Sequence, residues 1–144
     1  MFSKACEYGV KAAILIAVKS KQESRVSLEE IAEEINSPIA FTAKVLQKLT
    51  KSKIVGSVRG PAGGFEIKHN RIAKIKLSQI VTAIDGNSVY EGCGLGFNNC
   101  NDKKPCVLHH QFKPIRTDLK QMLETTSLLD LSKDINSGIS FLKC

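Results

Sequence analysis

The chain has 144 residues, 42% hydrophobic and 24% charged, which allows one domain or a small domain with an arm and excludes disorder throughout. Its 21 lysines and arginines exceed 14 acidic groups for a net charge of +7, a balance that suits a polyanionic partner. No apolar run reaches the roughly 18 residues of a membrane-spanning helix, so no membrane partner is expected.

Ala12 to Val18 form a short apolar stretch with Lys4 upstream. Glu7 and Lys11 intrude on it and no small-residue cleavage site follows, so it reads as an amphipathic first helix, not a signal peptide. A cytoplasmic chain is expected. Within residues 2–20, Ala5, Tyr8, Ala12, Leu15, Ile16 and Val18 fall near helical spacing. Ser27 opens a second helix and, with Glu30, matches a reciprocal capping box. Leu28, Ile31, Ala32 and Ile35 share its apolar face, and Asn36 stops it. Ser37 as N-cap and Pro38 as first residue start a third helix running to about Lys51, with Phe41, Val45, Leu46 and Leu49 as its buried stripe.

Two short helices across a tight turn, the second one basic, make a helix-turn-helix. Ile54-Val55 and Phe65-Glu66-Ile67 are strand-like and flank Arg59-Gly60-Pro61-Ala62-Gly63-Gly64. A β-hairpin after the second helix of the motif makes it a winged helix. The glycines permit positive φ and a close backbone approach, and Arg59 can reach a phosphate or a minor groove. The alternatives are a plain hairpin turn and a nucleotide loop. The latter lacks the G-K-[ST] ending.

The charge supports the DNA-binding reading. Residues 41–76 hold 9 basic groups and 1 acidic group, while the remaining chain is nearly balanced. The candidate DNA contacts are Ser37, Thr42, Lys44, Gln47, Lys48, Lys51, Arg59, Gly60, Gly63 and Gly64.

Leu77 to Ile84 form a fourth helix, ended by Asp85-Gly86-Asn87. Residues 91–106 are rich in Gly, Asn and Cys with no apolar period, a loop long enough to carry function. A last long helix is expected from Val107, with Phe112, Ile115, Leu119 and Met122 as a heptad-like seam and Pro114 in its first turns. That seam suits a homodimer.

Five cysteines occur, and three lie in the polar loop as C-x(6)-C-x(5)-C-x(2)-H: Cys93, Cys100, Cys106 and His109. Burial in a core explains most free cysteines, but not cysteines in a polar loop. A metal or cluster site is the better account, and spacing alone leaves zinc and iron–sulfur both open. His109 is the nearest fourth donor; Glu7 of a partner's first helix and His110 are alternatives. Cys6 is expected to pack, Cys144 has no assigned role, and His69 reads as a surface residue.

Several segments together resemble the IscR/NsrR group of winged-helix bacterial regulators, also called Rrf-two type. They are Tyr8, Ile31-Ala32, Leu46-Gln47-Lys48-Leu49, Ser57-Val58-Arg59-Gly60-Pro61-Ala62-Gly63-Gly64-Phe65, the cysteine triplet and His109. The resemblance covers almost the whole chain. It implies a homodimer on a pseudo-palindromic double-stranded DNA operator, with one iron–sulfur cluster per subunit on Cys93, Cys100 and Cys106. A 2Fe-2S cluster is favoured over 4Fe-4S. The fourth ligand falls on His109 in the IscR-like branch and on Glu7 in the NsrR-like branch. Two departures stand out. One extra residue separates the first two cysteines, and Pro38, Ala40, Phe41 and Ala43 stand where IscR-like members carry polar base-reading groups.

The expected architecture is mostly α with a small β-hairpin wing. Residues 1–85 form a winged helix-turn-helix, 86–106 a cysteine-rich cluster-binding loop, and 107–144 a long dimerisation helix and tail. No acid/base pair, nucleophile setting or nucleotide loop appears, so neither an enzyme nor a small-molecule substrate is expected. The competing functions are a cluster-free regulator working through thiol oxidation or a protein partner, and an iron–sulfur electron carrier.

Overall fold

The first helix, α1 (Lys4–Lys21), is the hub of the molecule. Ser3 caps it by accepting the Cys6 N–H at 3.0 Å. Its buried residues run unbroken from Ala12 to Val18, because other elements pack around it on several sides. Gly9 allows a close approach of Ile84: a Cβ would stand 2.1 Å from Cδ1 of Ile84, whose side chain would have to turn away. The computed structural model describes residues 1–143 and leaves Cys144, to which no role was assigned, outside the described residues.

α2 (Leu28–Glu34) and α3 (Ile39–Lys51) form the helix-turn-helix, and Asn36 takes the left-handed conformation (φ 52°) in the turn. The caps differ from expectation in two ways. Only half of the Ser27 box forms: Ser27 accepts from Glu30 N–H at 3.2 Å, while the Glu30 carboxylate turns to Lys19 at 3.4 Å. Pro38, not Ser37, is the N-cap of α3. Ser37 lies one residue earlier and its hydroxyl pairs with that of Thr42.

The wing is formed by β1 (Gly56–Val58) and β2 (Gly64–Glu66), paired antiparallel with Gly56 opposite Glu66 and Val58 opposite Gly64. The first strand thus begins two residues later than the Ile54-Val55 pair. Those two side chains are buried instead, anchoring the hairpin to the core. Val26 bridges the outer edge of β2, exchanging backbone bonds of 3.1 and 2.7 Å with Phe65. Gly64 therefore sits at φ 139° with the Val26 carbonyl where a Cβ would come, 2.7 Å away.

His69 opens a short helix, α4 (His69–Ile72), that buries Ile72 and keeps His69 exposed. α5 (Leu77–Asp85) packs against α1 and α3, and Gly86 (φ 76°) ends it as expected. α6 (Ser88–Glu91) is a single turn inside the segment read as loop.

The C-terminal third departs most from expectation. The long helix α7 (His109–Thr125) begins two residues after Val107 and carries Pro114 in its second turn. The expected tail is a helix, α8 (Leu128–Asn136), folded back on α1. Its N-terminus is a full capping box. Ser127 Oγ accepts from Asp130 N–H at 3.2 Å, and Asp130 accepts from Ser127 N–H at 3.0 Å. Backbone bonds Leu77 N–H to Thr126 O and Leu128 N–H to Ile75 O, both 3.0 Å, tie this corner to α5. Among the described residues, no helix is long and apolar enough to cross a membrane.

Candidate metal centre and nucleic-acid face

α3 is amphipathic, and its outer face carries Lys44, Gln47, Lys48 and Lys51, all exposed at helical spacing. Arg59 and Gly60 are exposed at the tip of the wing, with Gly63 and Gly64 half-buried behind them. Gly63 N–H donates to Gly60 O at 2.9 Å, closing the turn. The lysines make the outer face of α3 basic, and Arg59 adds one exposed charge on the wing. The Lys48 ammonium reaches the Ile84 carbonyl at the C-terminus of α5, 3.3 Å away.

Thr42 is the exception among the expected DNA contacts. It is 0% exposed, and its hydroxyl donates to Pro38 O at 2.8 Å. It braces the first turn of α3, a role for which burial has removed any access to DNA. The spacing was ambiguous because Thr42 lies one turn from Val45 and Leu46, on the inner edge of the helix.

The cysteine loop arches from α6 to the start of α7. It brings Cys93, Cys100, Cys106 and His109 onto the walls of one cavity of about 280 Å³, together with Phe97, Lys104 and Pro105. The four donors stand as two pairs. Cys93 and Cys106 Sγ are 3.8 Å apart, and Cys100 Sγ lies 3.3 Å from His109 Nδ1. Among the described residues, no three of these groups converge on a single point.

Neighbouring groups hold three of the four donors, His109, Cys100 and Cys93. His109 is 4% exposed, and its Nε2 donates to the Asp102 carboxylate at 2.6 Å, which turns Nδ1 toward Cys100. Lys113 in turn holds Asp102 at 2.7 and 2.9 Å. Asp102 is kept below the usual carboxylate range, first by Lys113 and then by His109. The Cys93 thiol is also lowered: backbone N–H groups of Leu95 and Phe97 favour its thiolate, with Cys106 and Arg116 adding to them. Cys6 behaves oppositely. Burial, followed by Asp85, pushes it up to about 12, as suits a packed core thiol.

Arg116 is the residue that sequence reasoning missed. It is only 9% exposed, donates from Nη2 to Cys100 Sγ at 3.1 Å and from Nη1 to Glu91 O at 3.0 Å, and also bonds Gly92 O. Its Nε is buried with no partner. The signal was present: Arg116 lies seven residues after His109, hence on the same face of α7. The inward face is His109, Phe112, Arg116, Leu119 and Leu123, which takes in only two of the four residues of the expected seam, Phe112 and Leu119. Of that seam, Ile115 and Met122 point outward at 57% and 43% exposure. With Leu108, they form an exposed apolar stripe at intervals of seven.

Glu7 does not line the cavity; it is half-exposed and bonded to Lys4 at 2.8 Å. His110 is exposed, its ring edge-on to that of His109.

A helix-turn-helix with a basic second helix, followed by a β-hairpin that exposes an arginine, defines the winged-helix class of DNA-binding regulators. The family model of Rrf2, an iron-dependent transcriptional regulator, matches residues 2–134, and the chain belongs to that family. A protein of Aquifex aeolicus (strain VF5), named among the HTH-type transcriptional regulators, is 30% identical over 133 residues, 91% of this chain and 90% of that one. Two solved structures share the fold at 22% identity. CymR, the global cysteine regulator of B. subtilis, has a TM-score of 0.75 over 92% of this chain and 96% of its own. IscR of T. potens has 0.73 over 97% and 91%. The protein is thus a DNA-binding transcriptional regulator and not an enzyme.

Proposed function

We propose that the chain works as a homodimer whose hold on operator DNA is set by an iron–sulfur cluster bound to Cys93, Cys100, Cys106 and His109. The supporting observation is that these four side chains line one cavity as two pairs. Three soft thiolates and an imidazole fit iron–sulfur ligation, and two donor pairs match two irons, favouring 2Fe-2S. The Arg116 guanidinium on Cys100 Sγ and the amides at Cys93 add positive potential beside two of these ligands. When bound, the cluster supplies a centre that oxygen, nitric oxide or iron shortage can remove.

The chain's own residues do the rest. The Leu108, Ile115 and Met122 stripe supplies a seam for a second copy. Two copies would present two α3 helices to successive major grooves, about 34 Å apart, on a pseudo-palindrome. Lys44, Lys48 and Lys51 meet phosphates, Gln47 meets a base or phosphate, and Arg59 reaches the minor groove from the wing. Binding weakens steeply with salt as counterions are released.

Anaerobic purification tests this reading, with absorption spectra, iron and sulfide counts per chain, and DNA affinity before and after cluster removal. Coloured protein whose affinity changes by about 5–150-fold on cluster loss supports it. A colourless, iron-free protein whose affinity ignores added iron and sulfide would falsify it.

One observation favours a second reading. Cys93 and Cys106 lie close enough to form a disulfide after small movement. A cluster-free regulator responding to thiol oxidation would then gain one disulfide under oxidant, bind no iron anaerobically, and change its DNA affinity with oxidation alone.

A further inference from the structure

We propose that Arg116 is the positioning residue that links the cysteine cavity to the DNA-reading helix. This rests on the reading above, that the cavity holds a cluster and that its occupancy controls DNA binding.

Arg116 touches the loop twice. Its Nη2 holds Cys100 Sγ, in the middle of the loop. Its Nη1 holds the carbonyls of Glu91 and Gly92, immediately before Cys93. A single rigid guanidinium therefore connects one ligand sulfur to the backbone next to another. Because the group is buried and its Nε is already without a partner, a lost contact is not replaced by water at no cost. Any rearrangement of Cys100 must move the guanidinium or strand it.

From Glu91 the contacts continue without a gap. Tyr90, one residue earlier on α6, shares a 2.9 Å hydroxyl bond with Thr82 on α5. The Lys120 ammonium lies 5.8 Å from the centre of the Tyr90 ring, pinning α6 to α7. Two residues after Thr82, the Ile84 carbonyl receives the Lys48 ammonium of α3. Lys48 belongs to the basic face. The path thus runs from a ligand sulfur, through Arg116, α6 and α5, to a DNA-facing lysine.

Arg116→Lys separates charge from bridging. A lysine keeps the positive charge but lacks the planar fork that spans the sulfur and both carbonyls. The test compares wild type and R116K, each anaerobically loaded and then cluster-free. The DNA probe is the duplex that loaded wild type selects from a random-sequence pool. Hydrogen exchange of residues 39–51 and 77–108 is measured alongside affinity.

The proposal expects R116K to retain wild-type iron and sulfide while its loaded-to-free affinity ratio shrinks by about fivefold or more. It also expects the exchange response of R116K to be confined to the cysteine loop. A retained cluster with an unchanged ratio overturns the proposal, as does cluster loss in both R116K and R116Q, which would make Arg116 part of the cavity wall only. Should R116K not fold, Tyr90→Phe tests the next link: the ratio must shrink with the cluster retained, and an unchanged ratio overturns the path. A wild type with no loaded-to-free difference overturns the parent reading and this proposal together, and so is distinguishable from failure of Arg116 alone.

Discussion

The wing and the cysteine loop are both glycine-bearing, solvent-facing connections, and they are held by different means. The wing is held mainly by backbone pairing and buried apolar anchors, with one side-chain clamp, Arg25 to Glu66 at 3.0 Å and to the Ala62 carbonyl at 3.2 Å. Its strands pair with each other, Val26 pairs with Phe65, and buried Ile54, Val55 and Ile67 root it in the core. The loop carries no strand pairing and sets Leu95 and Phe97 in solvent at 47% and 61% exposure. Side chains hold it instead: His109 to Asp102 and Cys100, and Arg116 to Cys100 and the Glu91 carbonyl. Backbone pairing is indifferent to redox chemistry, whereas thiols change with metal and oxidant. The wing rests on bonds that such chemistry leaves alone; the loop rests on groups whose bonding a metal or an oxidant would change.

The sharpest break of this contrast is Cys100→Ala. It should abolish the visible absorption of anaerobically prepared protein while far-ultraviolet circular dichroism and thermal unfolding stay close to wild type. Loss of the fold would show the loop to be as structural as the wing.

Thiol reactivity gives the next largest effect. At pH 8 Cys6, raised to about 12, holds roughly one thiolate in ten thousand, whereas Cys93 is shifted the other way. Alkylation of reduced, metal-free protein, mapped by mass spectrometry, should label Cys93 far ahead of Cys6. Because the raised value favours the protonated thiol, Cys6 labelling should accelerate only as pH climbs toward 12. Equal rates at pH 8 would mean that the core around Cys6 opens.

Glycine replacements compare the two regions directly. Gly64→Ala places a Cβ against the Val26 carbonyl at positive φ and should cost about 1–3 kcal/mol in chemical denaturation, with weakened DNA binding. Gly96→Ala, also at positive φ but with nothing within 4 Å, should cost only the left-handed backbone term of about 1–2 kcal/mol, and less where the loop relaxes. A larger loss at Gly96 would reverse the comparison.

Arg59→Ala should have the smallest structural effect. It removes an exposed charge, so stability changes by less than about 0.5 kcal/mol. DNA affinity should fall, with the salt slope reduced by about one, and the holoprotein spectrum should not change.

Much of the N-terminal half was legible in the residues. The apolar stripes of α2 and α3, Asn36 in the turn and Gly86 after α5 each have a local physical cause. So does the cysteine triplet, since thiols in a polar loop lack the core explanation that Cys6 satisfies. The misses also have causes. Ser127-Leu128-Leu129-Asp130 carries a capping signature for α8, which an expectation of tail over the chain end leaves out. Helical spacing places Thr42 near the boundary between the faces of α3, and only its burial in the folded chain decides which side it takes. The α7 seam was assigned by spacing alone. Two apolar rows share that helix, and the row turned inward includes Arg116, a residue no hydrophobic pattern selects.

The sequence by itself determined the local elements, the basic helix and wing, and the set of soft donors, because period, turn chemistry and residue type act over a few neighbouring positions. The tertiary structure alone decided which donors pair across the cavity, that Asp102 and Arg116 hold them, and that Lys48 rests on α5. Those contacts join residues up to 36 positions apart, and only the packing of α5, α6 and α7 fixes them in space.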